Sequence, residues 1–371
     1  MNFELDMAQC LLRDNLDNFL ARQYRFEARR QIVLGEPGWQ PTLWRRFADE
    51  LGLLGAGLPE QAGGSGGGAI EHMLVMEAFG KALVVEPYLE CCVLAAGVLA
   101  RSPGDAATAL LARIAEGSAI VVPAWSEPVG GVATQARRTP DGWQLDGRKA
   151  VAVAAPWATH LIVSAQVEGT TGTSLFVVPR QAQGLALQSY PTIDGRRAAD
   201  LECAGLALTA EALLGTAGAS QALLEQMLDE GAAAVCAEAL GVMARLHADT
   251  LAYVCERRQF GQAIAGFQVI QHRLVAMHLK IELARAATVF ASLSLSKTAR
   301  ERALAVSTAK VTVAEACRFV AQNAVQLHGG MGMTDELPLG SYFKRATAIE
   351  REFGDVDHHL RRHARLERVA A

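Results

Sequence analysis

The chain has 371 residues, 51% of them apolar and 20% charged, and a formal net charge of −4. Such a length suggests two or three domains with enough apolar material for a large core, and the absence of a basic block argues against nucleic acid as the main partner. No apolar run approaches the ~18 residues of a membrane span; the purest, residues 91–100, is shorter and includes Gly97.

Mean hydropathy of +0.16 hints at apolar surface buried between subunits. The first residues, M-N-F-E-L-D, carry early acids and no basic segment, so a signal peptide is not expected. The seven cysteines are scattered without C-x-x-C or metal spacing, which fits a reducing, cytoplasmic compartment.

Residues 1–118 read as helical. Leu5, Leu12, Leu16, Phe19 and Leu20, then Leu43, Phe47, Leu51 and Leu54, recur at helical spacing. Pro41 sits where a proline at the first helical position would start the second of these helices. Residues 59–68, P-E-Q-A-G-G-S-G-G-G, form the clearest loop. It is either a flexible connection or a loop lying near a ligand, and a helix is predicted after it over 70–83. From 119 to 215 the pattern turns to short β-rich runs at 120–122, 143–145, 150–153, 161–163 and 175–178, with D-G-W, D-G-R and T-T-G-T as turns. Helical periodicity returns over 216–371, with helices predicted at 219–257, 265–294, 300–327, 338–350 and 355–366. Gly266, the glycines of 329–332, Pro338 and Gly354 mark the breaks. The fold class is α+β, ordered helix, sheet, helix.

Two motifs bracket the second and third of those helices. One is E-R-R-Q-F-G, Glu256 to Gly261, followed by F-Q-V-I-Q-H-R from Phe267; the other is Q-L-H-G-G-M-G-M, Gln326 to Met333. Together they supply an arginine, amide donors, an aromatic face and glycines that admit a close backbone, which a planar, anionic dinucleotide can use. Each also has an ordinary reading. Arg257 and Arg258 suit the last turn of a solvated helix, G-G-M-G suits a helix stop, and Phe260, Phe267 and Met331 suit a core.

In this order and spacing the motifs resemble the acyl-CoA dehydrogenase family, and the order of segments resembles its fold across the whole chain. The resemblance implies an N-terminal helical domain, a middle β-barrel-like domain and a C-terminal four-helix bundle, bounded here at 1–118, 119–215 and 216–371. It implies FAD, an acyl-CoA substrate and an electron-transfer flavoprotein as acceptor. A carboxylate removes the α-proton of the thioester while the β-hydride passes to flavin. Arg257 is then expected to contact the FAD of a neighbouring subunit near its pyrophosphate, with Gln259 and Phe260 in the same patch and Gln268 and Gln271 extending it. Gln326, Gly329 and Gly330 match the segment that meets FAD across the subunit interface. No metal is implied; the His358–His359 pair in G-D-V-D-H-H reads as part of an exposed last helix.

Three departures stand out. Where the family carries T-E-P-G-x-G-S-D over the flavin, this chain has W-S-E-P-V-G-G-V-A from Trp125. Ser126 keeps its place there, but Val132 replaces the later serine. The family's W-I-T/S after Lys149 is Val151-Ala152-Val153, so a tryptophan wall and a hydroxyl are missing. The glutamate usually placed before a glycine near the C-terminus is Phe353, anchored on Gly354, and the alternative position on the first bundle helix is Gly231. Glu230, beside it, is the candidate base, and its ordinary reading is an exposed acid near a helix start. Glu127, Glu350, Glu352 and Asp355 are weaker candidates. Residues 44–54, 89–97 and 353–360 resemble the small subunits of bacterial pimeloyl-CoA dehydrogenases and subunits of heteromeric dehydrogenases of steroid side-chain thioesters. The first functional reading is therefore an FAD-dependent acyl-CoA dehydrogenase, as a homo-oligomer or with a second, homologous subunit. The alternatives are a catalytically silent subunit that completes a partner's FAD site, and a flavoprotein oxidase resembling nitroalkane oxidase.

Overall fold

The computed structural model describes residues 5–368; residues 1–4 of the acidic N-terminal stretch and residues 369–371 lie outside them. Helix α1 (Met7–Gln23) opens on a capping box in which Asp6 accepts from the Gln9 amide at 2.8 Å and the Gln9 side chain reaches back to the Asp6 amide. Helix α2 (Phe26–Leu34) follows, and α3 (Pro41–Asp49) starts at its proline and buries Leu43, Trp44 and Phe47. The predicted continuation of α3 to Leu54 is broken by Gly52 at φ +57°, and Leu53–Gly55 make a single 3-10 turn instead.

The glycine-rich stretch is not a flexible connection. It folds back on the turn before it, with Ser65 N–H donating to Gly55 C=O and Gly66 N–H to Leu58 C=O. A Cβ at Gly64 would lie 2.2 Å from the Leu58 oxygen, so the glycine is there for close backbone packing. Helix α4 (Ala69–Ala82) follows. A fully buried π-helix, Leu89–Ala95, continues as α5 (Ala96–Ala100), and α6 (Asp105–Ala115) follows.

The sheet comprises β1 (Val121–Ala124), β2 (Gln135–Thr139), β3 (Gly142–Val153), β4 (His160–Val167), β5 (Thr173–Pro179), β6 (Leu185–Pro191), β7 (Arg197–Thr209) and β8 (Leu213–Leu214), in the order β6-β7-β3-β2-β4-β5-β8. Strand β1 runs parallel to β4 along His160–Val163, and β2 takes over the same edge at Gln166–Val167. The predicted runs at 143–145 and 150–153 are one strand, β3, with a bulge between Lys149 and Ala152.

The rest is helical: α7 (Gln221–Glu256), a small hairpin of β9 (Arg258–Gln259) and β10 (Gln262–Ala263), α8 (Gln268–Ser294), α9 (Ala299–His328), α10 (Leu339–Arg351) and α11 (Val356–Arg368). Among the described residues no helix is long and apolar enough to cross a membrane.

The chain forms two compact units. One gathers residues up to Gln31, Ala69–Val84 and the chain from Asp229 onward; the other gathers Ile32–Gly68 and Val85–Leu228 and holds the sheet. Within the first, α4 crosses α7 with backbones nearly touching. A Cβ at Gly80 would lie 1.9 Å from the Glu238 oxygen, and one at Gly241 would lie 1.9 Å from the Glu77 oxygen. Buried charges in this unit are paired: Asp229 accepts from Arg302 at 3.0 Å and from Arg362 at 2.5 Å. Lys310 donates to the Ile349 carbonyl at 2.7 Å, near the C-terminal end of α10.

Candidate functional site

The two motifs meet at one end of α7 and α9. The Tyr253 ring stacks on His328 at 4.3 Å, and its hydroxyl donates to the His328 carbonyl. This pins the last turn of α7 to the Q-L-H-G-G corner. Arg257 extends the α7 ladder by one bond, its N–H donating to Tyr253 C=O at 2.8 Å. The hairpin turn that follows, Phe260-Gly261, has positive φ at both positions, +53° and +83°, as a type I′ turn requires. Phe260 therefore stands at the tip, 91% exposed, with an edge contact to Phe267; the ordinary reading of it as a core residue is overturned. Gly329 stops α9 at φ +59°, ψ −137°, a region that only glycine enters freely.

Arg257, Gln259, Gln268, Gln326, Gly329 and Gly330 are all exposed, and Arg257 has no carboxylate partner among the described residues. The Gln271 amide is instead spent on the Ala265 carbonyl at 2.9 Å. A cleft of about 330 Å³ between α9 and α10 is lined by Arg318 and Gln322, two turns and one turn before Gln326 on the same helix face. A cation without a counter-ion, an exposed aromatic ring, exposed amides and an open glycine corner fit an anionic, aromatic-bearing dinucleotide such as FAD. Sequence reasoning missed Tyr253 and His328, the pair that brings the motifs together; their spacing along the chain carries no signal of it.

The candidate base lies elsewhere. Glu230 is on α7, about 40 Å along the helix from Arg257 at 1.5 Å per residue. It is buried, at 8% exposure, so the reading of it as an exposed helix-start acid is corrected. The weaker candidates are committed to other contacts. Arg345, itself buried, holds Glu238 through two bonds of 2.7 Å and Glu352 through bonds of 2.6 and 2.9 Å. Arg318 holds Glu350, Lys149 holds Glu127, and Asp355 caps the His358 amide at 2.8 Å.

Phe353 stands at φ +57° ahead of Gly354 at +107°, and its carbonyl accepts from His359 Nε2 at 3.0 Å. That bond puts the proton on Nε2 and leaves Nδ1 to accept from the Ser307 hydroxyl. His359 is thus buried rather than part of an exposed face; burial, then Lys310, pushes its pKa down to about 4.

In the sheet unit, Ser126 is exposed at the mouth of the 125–133 loop. Its carbonyl accepts from the Ala150 amide at 2.9 Å. Glu127 accepts from Lys149, from the Thr134 amide at 3.1 Å and from the Thr134 hydroxyl at 3.3 Å. Val132 and Val151, where the family's serine and tryptophan are missing, are both exposed. The tryptophan that does follow, Trp157, stacks on Trp39 at 5.4 Å and donates to the Pro37 carbonyl.

Sequence models of the acyl-CoA dehydrogenase N-terminal, middle and C-terminal domains match residues 7–117, 123–206 and 218–365. The chain is 30% identical over 370 residues to the probable acyl-CoA dehydrogenase YngJ of Bacillus subtilis, covering 94% of this chain and 95% of that one. It is 31% identical to the acyl-CoA dehydrogenase FadE27 of Mycobacterium tuberculosis, covering 91% and 90%. Among solved structures it is similar to the ChsE4-ChsE5 complex of Mycobacterium tuberculosis, at 28% identity, 98% coverage of each chain and a TM-score of 0.91. Its helix–sheet–helix order is the acyl-CoA dehydrogenase fold, and the chain belongs to the acyl-CoA dehydrogenase family.

Proposed function

We propose that this chain is a subunit of an FAD-dependent acyl-CoA dehydrogenase, with domain boundaries near 118 and 215. In this reading its Arg257–Phe260 arm and its Gln326–Gly330 corner grip the FAD of a neighbouring subunit. The observation that carries it is the Tyr253–His328 stack, which holds an unpaired arginine, an exposed aromatic tip and a glycine corner side by side. Bound FAD supplies the hydride acceptor that no side chain provides. Arg257 neutralises phosphate charge, Phe260 covers an apolar ring edge, and Gln259, Gln268 and Gln326 offer amides. Glu230, already buried on α7, takes the α-proton of the thioester. Electrons leave to an electron-transfer flavoprotein. The seven cysteines are free, which suits a reducing cytoplasm.

The visible spectrum of the purified protein tests the cofactor. Flavin bands in the protein alone support a self-sufficient homo-oligomer, colour that appears only with a second, homologous subunit supports a heteromer, and no colour in either case overturns the reading. Replacing a general base removes a contribution of ~100- to 10,000-fold, so Glu230→Gln should lower turnover by at least about 100-fold.

A second reading has its own support. The turn that carries a base in much of the family carries Phe353, and the nearby Glu352 and Glu238 are locked on Arg345. The similar ChsE4-ChsE5 structure is a complex of two different chains. In this reading the chain is catalytically silent and completes a partner's site, and Glu230→Gln leaves turnover of the complex within about twofold of wild type, far from the ~100-fold loss of a missing base.

A further inference from the structure

We propose that Lys149 is a positioning residue for the ligand-facing corner of the sheet unit, acting through Glu127 to fix the backbone that carries Ser126. The proposal rests on the reading of Ser126 as part of a flavin site.

Lys149 is 1% exposed, in the middle of β3. Its ammonium group has two side-chain partners: the Glu127 carboxylate and the Ser164 hydroxyl at 2.8 Å. Burial pulls its pKa down, and Glu127 pulls it back up. A buried ammonium is a poor way to stabilise a strand, since an apolar side chain of similar volume does as well or better. What the pair supplies is direction. Glu127 is fixed from three donors, Lys149 and the two groups of Thr134. The backbone leading into Glu127 is tied as well, Ser164 donating to the Trp125 carbonyl at 3.4 Å and Ala150 to that of Ser126 at 2.9 Å.

The far side of the same bulge is strained and braced. Val151, a β-branched residue, stands at φ +54° while 55% exposed. Such a conformation persists only when its surroundings impose it, and such outliers gather at functional sites. Here the Val151 amide donates to Asp200 at 2.9 Å, and the Tyr190 hydroxyl donates to the same oxygen at 2.7 Å. In the 125–133 loop, Val129 and Val132 are exposed. This corner holds neither the hydroxyl side chain nor the tryptophan expected of it. Recognition from this unit then falls to Ser126 and to backbone groups, and these contribute only if the backbone is held still before the ligand arrives.

The test titrates FAD into the full-length apoprotein, together with its partner subunit if wild type needs one to turn yellow. Flavin fluorescence, the visible circular dichroism of bound flavin and the melting temperature are followed. Lys149→Met leaves Glu127 without its cation, so Lys149→Met/Glu127→Gln, which removes both charges, serves as the control for folding. Glu127→Asp keeps the pair but draws the carboxylate back by one methylene. Positioning predicts FAD binding at least 10-fold weaker and an altered flavin dichroism in both the double variant and Glu127→Asp, with melting close to wild type. The proposal is overturned if the double variant and Glu127→Asp bind FAD as wild type does, in which case Lys149 serves folding alone. If wild type binds no FAD with or without a partner, the flavin reading falls and takes this proposal with it.

Discussion

Phe260 shows what a single residue can disclose. An aromatic ring held out at φ +53° contributes almost nothing to the isolated chain, so Phe260→Ala should leave the melting temperature unchanged. FAD or subunit affinity should fall by about 1 kcal/mol, the usual worth of an aromatic contact, readable by fluorescence titration. Arg257→Ala should lose more, about 1.5–3 kcal/mol for a hydrogen bond to a charged group. His359 makes a separate prediction. Its pKa is 6.5 unfolded and about 4 folded, so the native state favours the neutral ring. Stability is complete above pH 6.5 and is lost as pH falls from 6.5 toward 4, by up to about 3 kcal/mol. His359→Gln should flatten that part of the curve in urea melts run at several pH values. Arg257, Gln259, Phe260 and the Gln326–Gly330 run could be singled out in the sequence because they are contiguous motifs; their role toward FAD is the proposal. The burial of Glu230 and the bonds of Arg345 to Glu238, 107 residues away, were not legible there, because they depend on long-range packing.

At the level of elements, the α4–α7 crossing depends on two glycines. Each tolerates no Cβ without displacing backbone, so Gly241→Ala should destabilise by about 1–3 kcal/mol, seen as a lower denaturation midpoint. Flavin binding in the folded fraction should be retained. The helices after residue 216 were legible because long periodic runs fix their own limits. Strand β7 was not. Its run R-A-A-D-L-E-C-A-G-L-A-L-T is rich in small residues with weak strand preference, and it is held by pairing on both sides, with β6 and β3. The break in α3 and the compact glycine loop were hidden for a related reason: φ at Gly52 and close packing at Gly64 are three-dimensional facts. A glycine run looks the same in sequence whether it is loose or tightly packed.

For the whole molecule, the exposed face of α8 is the clearest sign of assembly. Val275, Leu279, Leu283 and Phe290 are exposed along it, at spacings that place them on one side of the helix. Positive mean hydropathy had hinted at such a surface without locating it. On the proposed reading this face packs against another subunit, so Leu279→Glu with Leu283→Glu should reduce the oligomer to monomers in sedimentation velocity and release flavin at the same protein concentration. A dimer that survives both substitutions with its flavin intact would place the interface elsewhere.

Helix α7 runs unbroken for 36 residues, about 54 Å, with Glu230 near its start and Arg257 just past its end. On the proposed assignment the two ends serve different flavins, one in the chain's own site and one in its neighbour's. Selection then acts on the two ends separately. A duplicated gene can lose the acid at one end and still be retained for the arginine at the other, because its loss would cripple the sister protein. A family built on such a helix can therefore generate obligate pairs of unequal subunits by simple decay, without inventing a new interface.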